Sequence, residues 1–282
     1  MGVPLWALGH QGDNIRAIIS VLFAGSSDAP QTPGPVLSEE IQPRADKLIR
    51  AFKTWCEDPS DDGVLPGHFF PQWALPLMGQ ALGASPYPIR KILNQGFRLE
   101  RSAPLAADQP LALTAQLSDL DEQPHRARLT NSITCGPVGG EIALKAEVYS
   151  VVPLGGPRPE SLPKAKQAEP NFTVLKSWRA GRFEGARYSC LSGDINPLHW
   201  FPPAAWAAGM RAPILHGFAA GSVVIAHLDR VAGGPVPGVD MRFIKPMVLP
   251  ARLTLELDES TGALRVVDAR NRPCVVGSVR MP

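Results

Sequence analysis

The residues best suited to chemistry in this sequence are a carboxylate and an imidazole five positions apart. Asp194 and His199 lie in the run GDINPLH, with Asn196 between them. A carboxylate and an imidazole that face one small molecule can take a proton from water and return one to carbon, which is general acid–base catalysis. Pro197 fixes its own backbone angle and favours extended geometry at Asn196, so the turn that carries these groups is expected to be stiff.

The same run is explained about equally well as an ordinary turn. Asp and Asn side chains readily bond the backbone N–H groups of a turn, and a histidine there needs no further role. Two neighbouring features favour the catalytic interpretation. Residues 202–208 begin with two prolines and predict a short helix beside the turn, and the run PILHG at 213–217 leads into an apolar helix. The first N–H groups of such a helix lack partners and favour negative charge on a bound carbonyl oxygen.

Two units of helix and strands are predicted to position this segment. In the second half, one apolar helical face over residues 217–232 carries Phe218, Gly221, Ile225, Leu228 and Ala232. Alternating segments then predict strands at 239–243, 253–257, 264–268 and 274–279. The first half repeats this order, with a helix near 72–82 and strands at 96–99, 111–117, 126–134 and 142–151. The pattern favours an α+β fold of two repeats, each an antiparallel sheet wrapped around its own central helix.

Low-order stretches divide the chain. Residues 153–170 read PLGGPRPESLPKAKQAEP, whose five prolines and mixed charge predict an extended linker between domains at 1–152 and 171–282. Near the beginning, a short helix capped by Asp13 is predicted over residues 13–24, before a Gly/Ser/Pro-rich stretch. We interpret the first 40 residues as a peripheral extension.

Composition and charge exclude several classes of protein. The 282 residues are 44% hydrophobic and 19% charged with a net charge of +2, unlike a disordered chain or a basic nucleic-acid binder. The apolar run at 15–24 is shorter than the roughly 20 residues that a membrane span needs, and no basic segment precedes it as in a secretory signal. The four cysteines are far apart and form no C-x-x-C pair: Cys56, Cys135, Cys190 and Cys274. These features predict a cytoplasmic protein.

The motif block resembles one known family. The sequence combines G-D-x-N-P-x-H at 193–199, an Ala-rich helix, P-I-x-H-G at 213–217 and RFIKP at 242–246. This combination resembles the MaoC-like, type-2 (R-specific) enoyl-CoA hydratase family over residues 171–282, and the resemblance implies a hotdog fold. With the linker and a motif-free first half, it implies the double-hotdog form, because GHFFP at 67–71 does not restore the motif. One departure is MVLPA at 247–251, where the family has a Gly-Asp-Thr-like turn.

The resemblance also implies a function. The chain is expected to be a hydro-lyase that reversibly hydrates trans-2-enoyl thioesters to (R)-3-hydroxyacyl thioesters in fatty-acid metabolism. Asp194 and His199 match the catalytic pair, Asn196 the residue that steadies it, and Gly217 the backbone N–H that faces the thioester oxygen. Three more residues are expected to contact the substrate: Pro213, His216 and Phe218. The acyl group is expected on coenzyme A or acyl carrier protein, with no cofactor and no metal, and a homodimer is left open.

Alternatives from other classes were weighed on the same residues. A hotdog thioesterase would need a carboxylate on the central helix, and residues 217–226 contain no Asp or Glu. A non-catalytic acyl-thioester-binding or partner-stabilising subunit would not need the Asp194–His199 pair. A metal site formed with His216 lacks the spacing of a zinc signature such as H-E-x-x-H. His227, near the helix end, is assigned no chemistry because a histidine there interacts favourably with the helix dipole.

Overall fold

Helices and strands follow one another along the chain as in an α+β fold. The computed structural model describes residues 2–23, 29–61, 63–157 and 170–282. The α-helices of these ranges are α1 (Gly12–Phe23), α2 (Asp46–Cys56), α3 (Pro71–Leu82), α4 (Glu184–Ser192), α5 (Pro202–Ala207) and α6 (Gly217–Ala232). The strands are β1 (Leu37–Ile41), β2 (Val64–Leu65), β3 (Leu93–Arg101), β4 (Leu105–Ala106), β5 (Leu111–Gln123), β6 (Arg126–Pro137), β7 (Leu144–Pro153), β8 (Thr173–Ala180), β9 (Gly238–Phe243), β10 (Ala251–Asp258), β11 (Ala263–Asp268) and β12 (Pro273–Arg280). Within the described ranges, no helix is both long and apolar enough to cross a membrane.

Ten of the strands form one antiparallel sheet that both halves of the chain share. Its order is β1-β5-β6-β7-β3-β9-β12-β11-β10-β8, so the first half supplies one side and the second half the other. The halves meet where β3 pairs with β9, in the register Gly96↔Arg242 to Glu100↔Gly238. Gly96 has a φ of +148°, and a Cβ there would collide with the Met241 carbonyl, so the join needs a glycine at its tightest point.

The two long apolar helices lie in the core against this sheet. Most of α6 is buried, including Val224, Ile225 and Leu228, because small and apolar residues lie on most sides of this helix. Small residues allow close packing, since a Cβ at Gly221 would touch the ring of Phe97 on β3. Burial of each large apolar side chain contributes about 1.5–3 kcal/mol, so this packing fixes where the start of α6 lies.

The sequence pattern predicts most of these elements and misses a few. Every strand segment predicted in either half lies on a strand of the sheet, and the helices predicted near 72–82 and over 217–232 are α3 and α6. The pattern does not predict α2, although its Leu48, Ile49 and Phe52 are buried at helical spacing. It also misses β8, because this strand is partly exposed and has no clear alternation. Most of the predicted linker lies outside the described residues.

The interpretation of the first 40 residues as peripheral is wrong for residues 7–14, although most described residues from 29 to 40 are exposed. Ala7 is completely buried, and the polar residues Gln11 and Asn14 are buried as well. The predicted helix over 13–24 appears as α1, up to Phe23, with Ala24 outside the described residues. The segment packs on α3 and α4 and is therefore part of the core beside the reactive turn.

Candidate active site

The turn that carries Asp194 follows directly from the end of α4. Gly193 takes a left-handed conformation, with a φ of 77°, and ends the helix. The backbone N–H of Asn196 donates to Asp194 Oδ1 at 3.3 Å, and that of Leu198 donates to Asn196 Oδ1 at 3.1 Å. The turn therefore has the hydrogen bonds that the ordinary-turn interpretation predicts. The same bonds hold the Asp194 carboxylate in place.

His199 is oriented by a backbone carbonyl. Its Nδ1 lies 2.8 Å from the carbonyl oxygen of Ile214. Because a carbonyl only accepts, Nδ1 carries the proton, and Nε2 of the neutral ring is left as a proton acceptor. The ring also stacks on His216, with centroids 3.5 Å apart and planes 22° apart. Both contacts fix the position of the basic nitrogen.

His216 contacts both Asp194 and His199. It is 1% exposed, and its Nε2 donates to the backbone carbonyl of Asp194 at 3.1 Å. The Asp194 Oδ2 atom lies 3.9 Å from the same nitrogen. Burial, with a smaller contribution from nearby His199, holds the pKa of His216 well below its usual value. A neutral imidazole here orients the turn without adding a charge.

The carboxylate and the first imidazole are close enough to share one water molecule. One oxygen or nitrogen atom from each of Asp194, His199 and His216 lies within 4.8 Å of the others. Two hydrogen bonds of about 2.8 Å from a single water span up to about 5.6 Å. The same atom types can ligate a divalent cation. However, His216 is buried with its Nε2 on a carbonyl, so Asp194 and His199 are the two groups with exposed side-chain atoms.

A cavity of about 390 Å³ opens beside these groups. Asp194, His199 and Gly217 line it together, and the predicted contact residues His216 and Phe218 line it as well. The first half of the chain also contributes to its wall, at residues 92–95 and at Val151. The cavity is thus built by both halves.

Gly217 is the first residue of α6, where backbone N–H groups have no acceptor in the helix. A Cβ at this position would collide with the ring of Phe243. The glycine therefore lets the aromatic ring close over the helix start, and the cavity meets the positive end of the helix dipole there.

Pro213 is not among the residues that line the cavity. Its carbonyl accepts a hydrogen bond from the backbone N–H of Leu249 at 2.8 Å, and the N–H of Leu215 donates to the Met247 carbonyl at the same distance. The run at 247–251 that departs from the family pattern therefore supports the chain that leads to Gly217. Its Met247 and Leu249 are buried.

The first half contains a second aspartate–histidine pair that sequence reasoning missed. Helix α2 ends in a left-handed residue, Glu57, and Asp58 follows it, as Asp194 follows Gly193. The backbone N–H of Ser60 donates to Asp58 Oδ1 at 2.8 Å, and His68 Nε2 lies 3.3 Å from Asp58 Oδ2. In the sequence, helices α2 and α4 are each followed by an aspartate two positions after the last helical residue. An alignment of the two helix ends could therefore have revealed this pair.

This second pair lacks the group that corresponds to His199. Five positions after Asp58 the chain has Gly63. The neighbouring space holds an ion pair instead, in which Arg101 donates twice to the Asp229 carboxylate, at 2.7 and 2.6 Å. The first half therefore keeps the hydrogen-bonded turn and the buried histidine beside its aspartate. It has Gly63 where the second half has the partly exposed His199.

Acidification is expected to lower the free energy of unfolding through the buried histidines. Burial lowers the pKa of His68 from 6.5 to about 4, and the pKa of His216 is also lowered. The unfolded chain takes up protons at these rings near pH 6.5 while the folded protein does not, so stability is full above that pH and falls towards pH 4.

Urea unfolding at several pH values between 7.5 and 4.5 measures this effect. We expect His68→Gln to weaken the pH dependence of the unfolding free energy, and the exposed His10→Gln to leave it unchanged. An identical pH dependence in the parent and His68→Gln would contradict the assignment.

Comparison with known proteins finds a family similarity in the second half of the chain. Residues 166–273 match the family model of the MaoC like domain. A curated protein, 3-hydroxyacyl-thioester dehydratase X of Mycobacterium tuberculosis (strain ATCC 25618 / H37Rv), is 28% identical over 166 residues. That match covers 56% of this chain and 56% of the relative, so it spans little more than half of the relative's length.

Solved structures with the same fold cover nearly the whole chain. The crystal structure of HtdX of Mycobacterium tuberculosis is 20% identical, with a TM-score of 0.71, covering 88% of this chain and 100% of that one. A conserved hypothetical protein of the same organism, described as a double hotdog fold, is 11% identical with a TM-score of 0.58, covering 88% of this chain and 96% of that one. The predicted α+β double-hotdog fold is confirmed.

Proposed function

We propose that this chain, with the MaoC-like dehydratase domain of its second half, is a hydro-lyase. It reversibly hydrates trans-2-enoyl thioesters to (R)-3-hydroxyacyl thioesters in fatty-acid metabolism. The observation that carries this proposal is the placement of Asp194 and His199 within reach of one water, beside the start of α6 and inside a cavity. The name of the relative, a 3-hydroxyacyl-thioester dehydratase, supports the same reaction.

In the hydration step, the two partly exposed side chains, Asp194 and His199, act on one water molecule. As the water oxygen bonds to C3 of the enoyl group, the Asp194–His199 pair takes one proton from the water and gives one proton to C2, so the pair ends with the protons it began with. The net change is the addition of H and OH across the C2–C3 bond, and dehydration reverses it. General acid–base help of this kind contributes about 10²- to 10⁴-fold in rate.

The start of α6 acts on the other end of the substrate. Negative charge develops on the thioester oxygen as C3 is attacked. The N–H of Gly217 and the helix N-terminus stabilise that charge, and a single donor of this type is worth about 10²- to 10³-fold in rate. In this proposal Asn196 steadies the turn by accepting the Leu198 N–H.

We assign the acyl chain to the part of the cavity walled by the first half. Ile92, Leu93 and Val151 supply apolar surface there, and Phe218 of the second half lines the same cavity. In this proposal residues 1–152 form a degenerate repeat, residues 153–170 the linker, and residues 171–282 the catalytic repeat. One chain then supplies both walls of the cavity, with or without association into a homodimer, and the carrier is coenzyme A or acyl carrier protein.

A cytoplasmic setting is part of the same proposal. All four cysteines are buried and unpaired. Free thiols persist in reducing compartments, which supports this placement.

The test is an assay of the purified chain with enoyl thioesters of increasing length, starting with crotonyl-CoA. We expect loss of the enoyl absorbance without release of free thiol, and a product oxidised by an (R)-specific 3-hydroxyacyl-CoA dehydrogenase. Thiol release would identify a thioesterase instead. Tight binding of the thioesters without turnover would identify a binding subunit.

A further inference from the structure

The N-terminal segment contacts the helix that precedes the reactive turn. Its amide side chains Gln11 and Asn14 are only 1% and 3% exposed. Gln11 Nε2 donates to the backbone carbonyls of Cys190 and Leu191, at 3.0 and 2.9 Å. Asn14 Nδ2 donates to the carbonyl of Ser192 at 3.2 Å. The two side chains thus contact three successive carbonyls, and Asn14 Nδ2 shares its two hydrogens among the oxygens of Ser192, Gln11 and Gln72.

A third amide fixes the orientation of the first two. Gln72, on α3, donates from Nε2 to Gln11 Oε1 at 3.0 Å, and Asn14 Nδ2 donates to the same oxygen at 2.9 Å. Asn14 Nδ2 also lies 2.8 Å from the Gln72 backbone carbonyl. Because Gln11 Oε1 accepts from two donors, its N–H groups must point towards α4.

The three carbonyls belong to the last turn of α4. Carbonyls at a helix end have no N–H partner in their own helix and are usually satisfied by backbone bonds or water. Here the partners come from residues about 180 positions earlier in the chain. The next residue is Gly193, where a Cβ would collide with the Asn14 side chain, and then comes Asp194.

We propose that Gln11 and Asn14 are positioning residues that set the direction of the Asp194 carboxylate. They hold the chain just before Asp194, while His216 holds the Asp194 carbonyl from the other side at 3.1 Å. The inference rests on the proposed function. It extends the active-site machinery to a segment outside the MaoC like match, which begins at residue 166.

The test compares two buried asparagines. Asn14→Leu removes the donors beside Asp194. Asn131→Leu is the matched control, because Asn131 is 1% exposed and its Nδ2 donates to the Met78 carbonyl at 3.0 Å, on the first-half helix. Each variant is measured for unfolding by urea, for kcat and KM in enoyl-thioester hydration, and for amide hydrogen exchange of residues 189–200. Gln11→Met is the second variant and is used if Asn14→Leu does not fold.

We expect Asn14→Leu to lower kcat about tenfold to a hundredfold with little change in KM, because a small displacement of a catalytic group is costly. Exchange over residues 189–200 should be faster. Asn131→Leu should lose stability while kcat and this exchange stay at parent values. The inference is overturned if folded Asn14→Leu, or folded Gln11→Met, keeps the parent kcat and exchange. A parent without turnover would contradict the proposed function instead, and the exchange data would still test the positioning.

Discussion

An Asp194→Asn variant is expected to lose about 100- to 10,000-fold in kcat for enoyl-thioester hydration. An amide cannot take or return a proton, and acid–base groups contribute this much to rates. The substitution keeps the shape of the side chain, and Asn Oδ1 can still accept the Asn196 N–H as Asp194 does at 3.3 Å. The loss should therefore appear in kcat, with KM and stability close to the parent values. Steady-state kinetics and urea unfolding measure both.

The chain offers a close control for this variant in Asp58→Asn. Like Asp194, Asp58 follows a residue in the left-handed conformation at a helix end and accepts a backbone N–H of a turn. Its histidine partner, His68, is buried, whereas His199 beside Asp194 is partly exposed. We expect Asp58→Asn to keep the parent kcat, whatever stability it loses. Equal activity of Asp194→Asn and Asp58→Asn would exclude Asp194 from the chemistry.

The second large effect is expected for His199→Ala, again about 100- to 10,000-fold in kcat. The substitution removes the Nε2 base, whose ring is oriented by the bond from Nδ1 to the Ile214 carbonyl, and it leaves an imidazole-sized space over the His216 ring. Free imidazole added to the assay should restore part of the rate. Rescue in His199→Ala but not in Asp194→Asn would show that the missing group is the base itself.

Two further variants serve as a negative control and as a test of whether Asp194 and His199 act as a unit. His227→Ala removes a histidine near the end of α6 that lies outside the cavity lining, and it should keep the parent rate. The double variant of Asp194 and His199 should lose little more than either single variant, because two groups that act on one water are not independent. Additive losses would mean that the two groups act separately.

Periodicity predicts the parts of this fold whose burial repeats regularly. The helices α3 and α6 and the central strands are identified because their buried residues recur at helical or alternating spacing. β8 is missed because, as a partly exposed edge strand, it lacks that signal. The burial of Gln11 and Asn14 is missed because polar residues in and just before a short helix indicate a surface, and only their long-range partners on α4 show otherwise.

The sequence predicts which residues form the candidate site, but it does not predict which contacts hold them in place. The motif places Asp194, His199 and Gly217 at one cavity, as the spacing predicts. Sequence alone does not show that Pro213 lies outside the cavity lining, since its carbonyl is used by Leu249 about 36 positions later. Such pairings depend on how separate loops meet after folding, and no local pattern encodes them.

One polypeptide supplies both walls of the cavity, and the β3–β9 pairing holds them in one sheet. Their encounter is intramolecular, so its effective concentration is set by the tether between the halves and does not depend on how much protein is present. A cavity assembled in this way survives dilution that would separate two independent chains. It also frees each half from the constraint of symmetry, so that one half can keep the reactive groups while the other changes to suit the shape of what is bound.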